Sequence, residues 1–203
     1  MNVKMIIALA TAALLVAFGS CAQAQKAKQT QLAADIAKSG VVIGKPLAPA
    51  IKAESNTSLV TAGPGEQGLI CANGGLHIGA DGNVDIMVIS DPKIAPSRPA
   101  LSTITLTAAD GRNLFGLSEG DITQLYGEPS EIRDTGTRQS PNRTYIYYFS
   151  KGKMPYAVIS LPFKLSGGGS EPLSSVSCSL AKDYEVSEIT SKGLKIFPWP
   201  KGI

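Results

Sequence analysis

Leu117–Pro129, reading LSEGDITQLYGEP, is the stretch that decides the fold. Ser118 has the side chain of an N-cap, and Asp121 three residues on can bond back to the cap's own N–H, the reciprocal pairing of a capping box. Ile122, Leu125 and Tyr126 then fall on one face at helical spacing. Gly127 and Pro129 end the run, because a left-handed turn favours a residue without a Cβ and proline cannot extend the hydrogen-bond ladder. The stretch predicts a short helix over 118–126, with an apolar stripe that needs a sheet to cover.

On either side the pattern changes to short apolar segments set off by Gly, Pro, Asn and Asp, the texture of β-structure. Arg143–Phe149, Tyr156–Pro162 and Leu173–Leu180 read as three strands after the helix. In the last of them Val176, Cys178 and Leu180 alternate with Ser175, Ser177 and Ser179, so one face is buried and one wet. Before the helix, Gly68–Ile78, Asn83–Ser90 and Leu101–Leu106 read as three more, the first pair joined by a turn at Ala80–Asn83. A helix-like segment at Ile43–Ala53, interrupted by Pro46 and Pro49, precedes that set. The reading is an α+β fold of low helix content, built from tandem units of one helix plus a three-stranded antiparallel meander. A single irregular α+β domain is the rival. The chain divides into a signal peptide at 1–24, an N-terminal tether or adaptable first helix at 25–40, a divergent first unit at 41–110, a second at 111–182, and a C-terminal arm at 183–203. In that arm Leu194, Ile196, Phe197 and Trp199 are punctuated by Pro198 and Pro200, which predicts an extended segment lying over an apolar groove or reaching to a partner.

The order GLSEGDITQLYGEP, a polar spacer, then TYIYYF, PYAVISLPF and SSVSCSL resembles the outer-membrane assembly lipoproteins (BamE-like) and the related β-lactamase-inhibitor-protein fold. The matching positions are Gly116, Leu117, Ser118, Asp121, Ile122, Leu125, Gly127 and Pro129, and the clearest coverage is 114–180. The resemblance implies a cell-envelope module that binds protein through a concave sheet face. It marks Tyr145, Tyr147, Phe149 and Tyr156, the aromatics of adjacent predicted strands, as candidate partner contacts, since aromatics supply large rigid contact area. The rival reading of the same residues is core, because Tyr145, Tyr147 and Phe149 share one strand face, Ile146 and Tyr148 share the other, and one of these must pack on the helix.

The leader agrees with export. Lys4 precedes an uncharged apolar run from Met5 to Phe18, the length of a secretory h-region and short of the roughly 20 residues that span a bilayer. Its end fits two cleavage chemistries. Ala22-Gln23-Ala24 is an A-x-A site that leaves Gln25 first, and Ala17–Ser20 before Cys21 resembles a lipobox that would lipidate Cys21. Export into an oxidising compartment predicts a disulfide between Cys71 and Cys178, two buried free thiols being the alternative.

The charge balance, 19 basic against 16 acidic side chains with the basic ones scattered, excludes a nucleic-acid binder that works through a phosphate patch. No catalytic constellation emerges either. His77 is the only histidine, and no G-x-S-x-G stands near a strand-to-helix turn. Asp81, Asn83 and Asp85 have the spacing that opens a calcium loop, but Ile86 and Pro92 occupy its glycine and glutamate positions, so a hairpin turn is the reading. Gly167–Gly169 has no following Lys-Ser or Lys-Thr to hold a phosphate and reads as a hairpin loop. The expectation is a non-enzymatic exported envelope protein, without metal or cofactor, that binds a protein partner. The alternative is a periplasmic carrier holding a small apolar or envelope ligand in the cleft between the units.

Overall fold

A computed structural model describes residues 27–49, 51, 59–94 and 103–203. The leader, Cys21 and both cleavage sites lie outside them. The architecture is mixed α/β with low helix content: a ten-stranded, mostly antiparallel sheet carries helices on both faces. Helix α1 spans 27–37. The strands are β1 (Leu59–Gly63), β2 (Glu66–Cys71), β3 (Gly74–Ile78) and β4 (Val84–Ser90), then helix α2 (Glu119–Tyr126). They continue as β5 (Glu131–Gly136), β6 (Pro141–Lys151), β7 (Met154–Ser166), β8 (Gly169–Ser170) and β9 (Ser175–Leu180), followed by α3 (Asp183–Lys192) and β10 (Ile196–Pro198). Their order across the sheet is β1-β2-β3-β4-β9-β7-β6-β10. Along its free edge β6 takes two neighbours end to end, β5 antiparallel from 141 to 146 and β10 parallel from 148 to 150.

Helix α2 is built as its sequence dictates. The Ser118 Oγ accepts from the Asp121 N–H at 3.1 Å, and the Asp121 carboxylate accepts from the Ser118 N–H at 3.0 Å, so both halves of the capping box are present. The Ser118 hydroxyl, the Arg112 guanidinium at 2.8 Å and the Ser118 N–H together pull the Asp121 carboxyl down to about 2. Gly127 ends the helix at φ 74°, a conformation that favours glycine. Ile122 and Tyr126 are fully buried against the sheet. Ser118→Ala removes the acceptor for an otherwise orphan N–H, and should cost about 1 kcal/mol. A thermal melt should show Tm falling by roughly 2–4 °C.

Residues 27–37, expected as a tether or adaptable helix, form a packed helix. Gln29, Leu32, Ala33 and Ile36 fall at i, i+3, i+4, i+7 and are all buried. The Gln29 side-chain amide donates to the Glu128 carbonyl, and the buried Asp35 accepts from the Tyr126 hydroxyl at 3.0 Å, which locks α1 to α2. Burial and the Asp35 charge push the Tyr126 phenol well above its ordinary range.

Several strand and helix expectations shift. The predicted strand Gly68–Ile78 is the hairpin β2–β3, broken at Ala72–Asn73, while the predicted turn before Asn83 does join β3 to β4. Leu101–Leu106 forms no strand over its described residues, 103–106. Ile104 and Leu106 are nevertheless buried, Ile104 bonded by the Asn73 side chain and Leu106 by the Leu114 N–H. The helix expected at Ile43–Ala53 is absent over 43–48: Pro46 bridges to Asn83, and Gly44 and Lys45 exchange backbone bonds with Val84. Residues 49 and 51 are helical, and 50, 52 and 53 lie outside the described residues.

The Cys71–Cys178 disulfide is not formed; both side chains are buried free thiols. Cys71 pairs with Gly74, which continues through Ile89 to Val176, so β3 and β4 stand between Cys71 and the strand of Cys178. Three strand spacings are about 14 Å, twice what a disulfide tolerates between Cα atoms. Burial raises both thiols, that of Cys178 to about 12, which makes them inert packing groups.

Candidate functional site on the outer sheet face

Three of the four expected partner contacts are core, and the fourth, Tyr156, packs half-buried against it. Tyr145, Tyr147 and Phe149 point from β6 into the main apolar cluster, where Tyr147 and Phe149 are 0% exposed. The Tyr145 hydroxyl donates to the Glu119 carboxylate at 3.2 Å and that of Tyr147 to the Gly127 carbonyl at 3.0 Å, so both rings stand under α2. Tyr156 on β7 is half-buried, donates to the Ile43 carbonyl at 2.8 Å and meets the Trp199 ring edge to face at 5.2 Å. The C-terminal segment closes this region: Phe197 and Trp199 are buried against Phe149, so the arm lies over an apolar groove of its own chain. Ile146 and Tyr148, on the opposite face of β6, are also buried, under α3. Both sides of β6 are therefore covered, which is why its sequence is a continuous apolar run from Tyr145 to Phe149.

The surface left open lies on the outer side of β1–β4 and β9. The inner face of this half carries Leu69, Cys71, Leu76, Ile78, Met87, Ile89, Val176 and Cys178, all buried. Strand alternation sends Ile70, His77 and Val88 outward, together with Ser175, Ser177 and Ser179. The register aligns them. One rung runs Val60, Gly68, His77, Ile86, Ser179, and the next runs Ile70, Gly75, Val88, Ser177. Glycines and serines keep this face shallow, and Val60 and Val88 stand 46% and 48% exposed within it.

One polar cluster sits on that face, made by a bulge. His77 pairs with Ile86 and Ile78 with Val84, which leaves Asp85 as the extra residue of β4. Val84 and Met87 are buried while Asp85 and Ile86 both turn outward, so the bulge aims the Asp85 carboxylate at His77. The His77 Nδ1–H donates to Asp85 at 2.6 Å, and Nε2 faces the Glu66 carboxylate of β2 at 3.5 Å. The two carboxylates lie at opposite ring nitrogens and converge on no common point; no group able to hold a metal ion occurs among the described residues. A serine-hydrolase arrangement needs a hydroxyl at the second nitrogen, where Glu66 stands instead.

Bonding to Asp85 raises the pKa of His77 above its ordinary 6.5, against the smaller opposing effect of burial. A raised folded pKa means that the imidazolium bridge between β2 and β4 stabilises fully below about 6.5 and fades as pH climbs through the folded value. With one histidine in the chain, its imidazole proton resonances report this alone. Their titration midpoint should lie above 6.5 and fall in Asp85→Asn; a midpoint at or below 6.5 in the parent chain refutes the bridge.

Sequence reasoning missed Asn73, α3 and the His77–Asp85 pair. An Asn-Gly dipeptide at 73–74 marked a break in the stretch Gly68–Ile78, although the turn itself uses Ala72–Asn73 and Gly74 opens β3 opposite Cys71. No helix among the described residues is long and apolar enough to cross a membrane. Compared with family models, with curated proteins and with solved structures, the chain matches none.

Proposed function

We propose that this is an exported, non-enzymatic envelope protein that binds a protein partner through the outer face of its β1–β4 and β9 half. The leader supports export to the periplasm or beyond, with Cys21 as the lipid attachment point if the lipobox is the site used. The BamE-like helix motif supports the envelope assignment. Two antiparallel meanders, β2–β3–β4 and β6–β7–β9, lie side by side with β4 against β9, the arrangement that tandem units of the inhibitor-type fold would give.

The observation that carries the reading is the pair of half-exposed valines, Val60 and Val88, among glycines and serines on an outer face that no described helix covers. Such a flat, mixed face meets a protein surface better than it holds a small molecule. Val88→Arg tests it. Because Val88 is half-exposed on an outer face, the substitution should change stability by less than about 0.5 kcal/mol. Placed inside an interface, an unpaired guanidinium should weaken the complex at least a hundredfold, about 3 kcal/mol. The measurement is recovery of the partner from native envelope by the tagged chain. Equal recovery by Val88→Arg and Ile70→Arg overturns the assignment.

A further inference from the structure

Among the described side chains of α3, Ile189 alone is buried. It rests on Ile146, Tyr148 and Val158, a cluster separate from the main core, with Ala181, Leu194 and Ile196 at its margin. The other ties from the described side chains of α3 to the sheet are ionic and partly exposed: Glu188 to Arg133 at 3.1 Å and Lys192 to Glu131 at 3.6 Å. The two β5 residues hold each other without α3, because Arg133 meets Glu131 at 2.6 Å and both bond the Tyr148 hydroxyl at 3.0 Å. A floor and a charged rim therefore exist independently of the helix that rests on them. That floor is continuous with the open half. The rung of Tyr148 and Val158 runs on through Ser179, Ile86 and His77 to Gly68.

We infer that α3 is a displaceable cover, standing on the sheet where an amphipathic helix of the partner docks. This rests on the outer face being the docking surface. The helix α3 is itself the template for its replacement: one aliphatic anchor fills the Ile146–Tyr148–Val158 floor, and a Glu/Lys pair four residues apart meets Arg133 and Glu131. An element whose described side chains hold it by one buried residue and screened ion pairs opens locally, well before the sheet.

Amide hydrogen exchange of the whole chain tests the opening without a partner. The amides of α3 should exchange at least roughly 100-fold faster than those of β6 and β7, and faster again in about 0.5 M salt. Ile189→Ala should then bind a synthetic peptide of residues 181–194 at least about tenfold tighter than the parent chain, whose floor is covered. Exchange of α3 only at the rate of β6 overturns the inference. So does an Ile189→Ala chain that keeps β6 protection yet takes up no more peptide than the parent. Either failure leaves the Val88→Arg result standing, since Val88 lies on the half that α3 does not cover.

Discussion

Phe149→Ala should lower the stability of this protein by about 3–5 kcal/mol and leave no selective defect in partner capture. Its ring is fully buried, edge to face with Trp199 at 5.6 Å and with Phe197 at 6.2 Å. Those two residues belong to the C-terminal segment, whose β10 pairs with β6 alone among the described residues, through Tyr148, Phe149 and Ser150. Truncating Phe149 therefore opens a cavity and loosens the strand beside it, which puts the loss toward the upper part of that range. In urea the midpoint should fall with little change in slope. Tyr147→Phe is the calibrating variant: it keeps the packing and loses one hydrogen bond to the Gly127 carbonyl, for about 1 kcal/mol. If Phe149→Ala instead cost less than about 1 kcal/mol while abolishing capture, the aromatic face would be a surface after all.

What could be read from the chain was what neighbouring residues decide among themselves. The capping box of α2, its Gly127 stop and the turn between β3 and β4 depend on side chains two to four positions apart, and each is where its residues put it. Which face of β6 meets solvent is not of that kind. Tyr145, Tyr147 and Phe149 on one side and Ile146 and Tyr148 on the other are equally apolar, and the outcome depends on α3, which returns to cover the second set. Helix α3 hides in turn because its residues are mostly polar, Ile189 is the one buried among its described side chains, and Lys182 at its start makes no side-chain cap bond. The cysteine pairing failed for a related reason: redox context says that two thiols can join, while the sheet order decides whether they are near. The His77–Asp85 pair was invisible because it depends on a bulge, and one extra residue reverses the parity on which strand reading relies.

The second large effect is expected at Asn73, a polar residue 1% exposed at the β2–β3 turn. Its side-chain amide donates to the Ser90 carbonyl at 2.9 Å and the Ile104 carbonyl at 2.8 Å, and its oxygen accepts from the Ile104 N–H at 3.1 Å. This side chain bonds both backbone groups of Ile104, and the Leu114 N–H bonds the Leu106 carbonyl at 2.8 Å, so Ile104 and Leu106 reach the core without joining the sheet. Asn73→Ala strands those backbone groups in a dry site, at about 1–3 kcal/mol each, and a total of roughly 3–4 kcal/mol is expected after partial relaxation. Asn73→Asp distinguishes this account from mere loss of volume. It has the same shape, but it turns a donor toward two carbonyl oxygens into a charged acceptor, so the fold should favour the protonated acid and raise its pKa above the ordinary value of about 3.9. The charge-dependent part of the penalty is then absent below about 3.9, grows as pH rises, and is complete above the folded pKa. One of the two carbonyls stays unpaired at every pH, because a protonated carboxyl donates one hydrogen where the amide donated two. Urea midpoints at several pH values, each taken relative to the parent chain, should show Asn73→Asp recovering toward acid while the Asn73→Ala deficit stays flat. Parallel, pH-independent losses in both variants would mean that Asn73 fills space and that the three bonds contribute little.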